Sequence, residues 1–131
     1  MRVGGYRRCR SGPDAGGDCN LYEFVYDFRL DIPGAARGLA ALIRQIREQR
    51  GDPSLRVDIL AHSNGGMLAR YYARHGECVL PWDAPLAPDF AGAASIRRLL
   101  LVGTPNLGSL QPVLSLLRGE EIGLRRIPPE V

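Results

Sequence analysis

Asp58-Ile59-Leu60-Ala61-His62-Ser63-Asn64-Gly65-Gly66-Met67-Leu68-Ala69-Arg70-Tyr71-Tyr72 is the stretch whose reading decides the fold. An apolar run stops at a serine with small residues around it, and a helical spacing begins beyond. Leu55–Ala61 (LRVDILA) is short and nearly continuous in apolar residues, which predicts a strand buried on both faces. Met67, Leu68, Tyr71 and Tyr72 share one face of a helix that stops near Gly76. Ser63 therefore falls at a strand-to-helix turn. In open α/β sheets, chemistry collects at such turns, outside the carboxyl ends of the strands.

On the amino-terminal side, Leu21–Tyr26 (LYEFVY) is rich in aromatic and β-branched residues and predicts a strand. Asp31 and Pro33 mark the start of a helix, and Leu39, Leu42, Ile43 and Ile46 hold the i, i+3, i+4, i+7 spacing of its buried face. Gly51 and Pro53 end it. On the carboxyl side, a Pro-rich connection (ECVLPWDAPLAPDFAGAAS) has no period of its own. Ile96–Gly103 (IRRLLLVG) predicts another buried strand, TPNLGS a loop, and Leu110–Leu117 a weak last helix before IPPEV. Strand, helix, strand, helix, strand implies an α/β fold, with parallel strands joined by crossover helices in an open sheet.

A tight turn of this kind lifts a serine hydroxyl clear of the sheet but strains the backbone. Ala61 and Gly65, two before and two after Ser63, relieve the contacts, and Gly66 lets the helix press onto the sheet. The helix start supplies unpaired N–H groups and a positive dipole end. The Asn64 N–H is thereby placed to donate to a developing oxyanion, which lowers the barrier to acyl transfer. The pattern is close to G-x-S-x-G, with Ala61 in place of the first glycine. The competing reading is a serine that caps the following helix. A dinucleotide-binding turn carries little weight, because Gly65 and Gly66 are adjacent and the leading glycine of G-x-G-x-x-G is missing.

Bulk properties narrow the function classes. With 131 residues and a 45% hydrophobic fraction, the chain fits one soluble core. All 17 basic residues are arginines, the net charge is a modest +3, and the pairs Arg7-Arg8, Arg97-Arg98 and Arg125-Arg126 are far apart. Neither a clustered basic face nor base-reading partners are present, so no nucleic-acid partner is expected. No segment is long and apolar enough to cross a bilayer. The start, MRVGGYRRCR, is basic with no apolar h-region behind it, which implies no signal peptide and a cytoplasmic location by default. Cys9, Cys19 and Cys78 have no metal-ligand spacing. Cys9 and Cys19 would close a small loop in an exported protein, but three ordinary thiols are expected. No metal and no cofactor are implied.

The surroundings of Ser63 sharpen the reading. VDILAHSNGGMLARYY resembles the nucleophile elbow of the lipase branch of α/β-hydrolases, where a His precedes the serine and Gly-Gly follows closely. Upstream, FVYDFRLD resembles the Tyr-Asp-Trp-Arg segment of lecithin:cholesterol acyltransferase-like proteins, with Phe28 in place of Trp. Downstream, VGTPNLGS resembles their Thr-Pro-x-x-Gly-Ser loop. The three motifs run in order from about Phe24 to Ser109. The resemblance implies a serine nucleophile and ester or O-acyltransferase chemistry on lipid-like acyl esters, with peripheral lipid contact left open. Ser63 matches the nucleophile and Asn64 the backbone donor. Tyr26, Asp27 and Arg29 match a structural segment, and Thr104, Pro105, Gly108 and Ser109 match the loop beside the site.

The same resemblance implies that residues 1–131 form one partial α/β-hydrolase domain, with core elements over about 21–109 and the start of a cap or tail over 110–131. A triad base and acid are not assigned. His62 adjoins Ser63 on a sharp turn, its ring is expected to project away from the hydroxyl, and in the family it packs beneath the elbow. His75 lies twelve residues along the helix, about 15–18 Å away at 1.5 Å per residue. Asp58, Asp83 and Asp89 have no histidine to orient. In the family a further strand, which carries the other oxyanion donor, lies between the Leu21–Tyr26 and Leu55–Ala61 strands. Its absence here implies a gap in the sheet, and a chain that is the middle of a hydrolase, an inactive remnant of one, or a non-catalytic binding domain.

Overall fold

The computed structural model describes residues 2–9, 18–78, 87–122 and 125–127. In chain order these form strands β1 (Arg2–Val3) and β2 (Tyr6–Arg7), helix α1 (Ile32–Arg50), strand β3 (Val57–His62) and helix α2 (Asn64–His75). A 3-10 turn (Ala91–Ser95) then leads into strand β4 (Ile96–Val102), helix α3 (Gln111–Arg118) and strands β5 (Glu120–Ile122) and β6 (Arg125–Ile127). β3 and β4 pair in parallel; β1–β2 and β5–β6 are short antiparallel pairs. A small parallel pair with helices makes this an α/β arrangement.

α1 begins and ends on the signals its sequence carries. Asp31 is the N-cap, its carboxylate accepts from the Gly34 N–H, and proline stands in the first turn. Gly51 closes the helix at φ 61°, a left-handed conformation that glycine adopts without a Cβ clash. Of the face predicted to be buried, Leu39, Ile43 and Ile46 are so, joined by Ala36 and Ala40, while Leu42 at its edge is only half-buried. These alanines bring α2 close, and the core gathers Leu39, Ile43, Leu68, Tyr72 and Ile96 around them. Each large apolar side chain so buried contributes about 1.5–3 kcal/mol.

Val57, Ile59 and Leu99 face this core from the strand pair. The opposite face differs from expectation. Leu60 is 74% exposed, Leu100 49% and Val102 51%. Both strands were expected to be buried on both sides, and they are buried on one. The apolar runs are real, but no layer covers their second face among the described residues. The register of the pair slips between Val57 and Asp58, which face Ile96 and Arg98. The residue left over, Arg97, turns back to grip Asp58 with two bonds, Nε to Oδ1 at 2.8 Å and Nη2 to Oδ2 at 2.5 Å.

Two further expectations are corrected. Leu21–Tyr26 is not a strand: Leu21 makes one isolated bridge with Arg8, and no ladder continues from Tyr22 to Asp27 among the described residues. Strand propensity acts through neighbours, and this segment has none to pair with. Its side chains still alternate, with Tyr22, Phe24 and Tyr26 half-buried and Glu23 and Val25 exposed. Cys9 and Cys19, expected as thiols, form a disulfide. The Cys9 N–H donates to the Leu21 carbonyl at 2.7 Å, so backbone pairing brings the two sulfurs together. Part of the Pro-rich connection, with Asp83, and residues 128–131 of the terminal IPPEV lie outside the described residues.

Candidate functional site

β3 delivers Ser63 to the carboxyl end of the parallel pair. The Ser63 N–H still follows the ladder, donating to the Val102 carbonyl at 2.9 Å, and the next residue opens α2. The change of direction falls on Ser63 itself, at φ 52° and ψ −125°. A residue with a Cβ is strained there, by about 1–3 kcal/mol, and persists only where its surroundings hold it. The side chain is exposed and makes no capping bond to the helix it precedes. The hydroxyl thus does not accept from the Gly65 or Gly66 N–H as a capping serine would; the Gly66 N–H donates instead to the Ser63 carbonyl at 3.0 Å.

What holds the turn is visible on two sides. On one, Gly66 is buried and accepts no side chain: a Cβ there would fall on the Thr104 hydroxyl, with Thr104 Cγ2 at 2.7 Å and Cβ at 2.8 Å. The glycine admits the loop after β4 against the first turn of α2. At Gly65 a Cβ would meet only the Tyr26 hydroxyl, at 3.9 Å, so the close approach belongs to Gly66. Ala61 is buried on the core side of β3. On the other side, Asn64 Nδ2 donates to the Tyr26 hydroxyl at 3.3 Å.

The loop after β4 is built for this approach. Gly103 and Gly108 adopt φ of 58° and 89°, the Asn106 N–H donates to the Thr104 carbonyl at 2.8 Å, and the Gly108 N–H to the Pro105 carbonyl at 3.0 Å. Arg70 on α2 donates to Asn106 Oδ1 at 2.8 Å, a second tie between helix and loop. Ser109 accepts from the Gln111 N–H and leads into α3. The Thr104 hydroxyl is buried and has no hydrogen-bond partner among the described residues.

Neither histidine reaches Ser63 as a base. His62 is exposed rather than packed beneath the turn; its Nε2 lies 3.7 Å from where a Cβ of Gly103 would stand. It alternates with Ala61 along β3, and alternation puts its ring on the uncovered face. His75 is buried at the far end of α2, its ring 5.1 Å from that of Tyr71. Asp27 and Arg29 pair with each other, Nε to Oδ1 at 2.9 Å and Nη2 to Oδ2 at 2.6 Å. That side-chain bond, then the Arg29 backbone N–H, lowers the Asp27 pKa. Among the described residues no three His, Cys, Asp or Glu side chains converge as a metal site.

Ser63, Asn64, Gly66 and Thr104 are therefore brought together, while His62 and His75 are not. Sequence spacing carried no sign of the Tyr26–Asn64 or Arg70–Asn106 bonds, since each joins residues far apart in the chain. Comparison with protein-family models, with curated proteins and with solved structures finds no match to this chain.

Proposed function

We propose that Ser63 is the nucleophile of a lipase-type acyl transfer, taking the acyl group of a lipid-like ester onto its hydroxyl as in an α/β-hydrolase elbow. The observation that carries the reading is the conformation of Ser63. A non-glycine residue is held at positive φ between a parallel strand and a helix, with its side chain exposed and not spent on capping. Strain of this kind collects at reactive turns. The Asn64 N–H, at the positive end of α2, would stabilise the oxyanion of the tetrahedral intermediate. Thr104, Pro105, Gly108 and Ser109 would line the approach to the hydroxyl. Hydrolysis and O-acyl transfer share this first step and differ in the acceptor, water or an alcohol.

A second reading has an observation in its favour. Among the described residues neither histidine shares a hydrogen bond with Ser63: His62 Nε2 lies beside Gly103 and His75 against Tyr71, so no general base is engaged with the serine. A non-catalytic remnant of such a domain would look the same. A fluorophosphonate probe separates the two. Labelling that vanishes in Ser63→Ala supports the nucleophile, and a folded chain that takes no label supports the remnant.

A further inference from the structure

We infer that Tyr26 is a positioning residue for Ser63, acting through Asn64; the inference rests on Ser63 as the nucleophile. A serine at φ 52° must be held from outside its own backbone. Thr104 supplies one support, through Gly66. The other comes from a segment that has no ladder of its own. The Cys9–Cys19 disulfide fixes its start, and Arg50 of α1 bonds to the Cys19 carbonyl and, at 3.2 Å, to the Tyr22 hydroxyl. Phe24 then lies on α1, where a Cβ at Gly38 would stand 3.3 Å from its ring. Tyr26 stacks on Phe24, with centroids 5.8 Å apart and planes 14° from parallel. The phenol is thus delivered by a packed side chain, in a fixed orientation, to Asn64 Nδ2 at 3.3 Å.

Asn64 is where this bond has most effect. It is the first residue of α2, and its backbone N–H is the donor proposed for the oxyanion. Tying its side chain fixes the first turn of the helix and, through the shared peptide, ψ of Ser63. A supporting bond of this sort sets the geometry of a site without touching substrate.

Tyr26→Phe removes the oxygen and keeps the ring stack. The expected result is a shift of the Asn64 backbone and side-chain amide resonances in a 1H–15N NMR spectrum. Saturating labelling of Ser63 by a fluorophosphonate should slow about fivefold, the scale of one part-buried hydrogen bond. Ile43→Val, which loosens the core away from the turn, should lower Tm without slowing labelling far below Tm. Asn64 resonances that stay in place, or a labelling rate equal to wild type, overturn the positioning role alone. A slowing that Ile43→Val reproduces also overturns it. Wild-type protein that takes no label at Ser63 overturns the nucleophile reading, and this inference with it.

Discussion

Placing a methyl group on Gly66 tests how the Ser63 turn is held. In Gly66→Ala the new Cβ meets three atoms of Thr104, with Cγ2 at 2.7 Å and Cβ at 2.8 Å. Rotating Thr104 about χ1 moves its hydroxyl and Cγ2 but leaves its Cβ in place. The loop must therefore retreat by about 0.6–0.8 Å to restore ordinary contact, an overpacking that costs on the order of 1–3 kcal/mol. Greater helix propensity of alanine offsets about 0.5–1 kcal/mol of this. A net loss of about 1–2 kcal/mol is expected, or roughly 4–8 °C in Tm for a chain of this length. Thermal and urea unfolding followed by circular dichroism read it directly. Gly65→Ala is the control, because its methyl meets only Tyr26 at 3.9 Å; it should be neutral or stabilising. In the double variant, Thr104→Gly should restore most of the loss and Thr104→Ala only part, since alanine keeps the Cβ. A Gly66→Ala chain as stable as wild type would refute the close approach. So would losses in Gly66→Ala and Thr104→Gly that simply add.

Other expectations follow from the same contacts. Arg97 lowers the Asp58 pKa by its side-chain hydrogen bonds, so the pair stabilises the fold above the ordinary carboxylate range near pH 4 and is lost as pH falls below it. Acid unfolding should be less steep in Asp58→Asn, and an unchanged acid limb would remove the pair from the account. Reducing Cys9–Cys19, ten residues apart, should cost about 2–3 kcal/mol through loop entropy, measured as the urea midpoint with and without a dithiol; no shift would contradict it. Leu60→Thr, on the uncovered sheet face, should change stability by less than about 0.5 kcal/mol, whereas Ile43→Ala should cost about 2–5 kcal/mol. Comparable losses at the two positions would mean that the second face is covered.

The contrast between those leucine and isoleucine positions shows what could be read in the sequence. The α1 face was legible because Leu39, Ile43 and Ile46 repeat at a helical period and Asp31 and Gly51 carry local capping chemistry. β3, α2 and β4 were legible for similar reasons, and so was the place of Ser63 between them. Burial of Leu60 and Leu100 was not, because an apolar run states what a strand tolerates and not which layer lies over it. LYEFVY has strand composition, yet a strand exists only where a second backbone accepts its bonds. The disulfide depends on Cys9 and Cys19 meeting through the Leu21 carbonyl, a contact that composition does not encode. At the site, Gly66 was legible as a place of close approach, but neither its partner Thr104 nor the bond from Tyr26 to Asn64 was, because each contact joins residues far apart in the chain.

The central claim is that the hydroxyl of Ser63 takes an acyl group. It is tested most directly by mass spectrometry of the chain after incubation with an activated long-chain acyl ester, in a Cys78→Ser background that removes the surface thiol. The expected result is a single acyl adduct on the tryptic peptide spanning 57–70, localised to Ser63. A folded chain that carries no adduct, or carries it at other residues and equally in Ser63→Ala, would contradict the account.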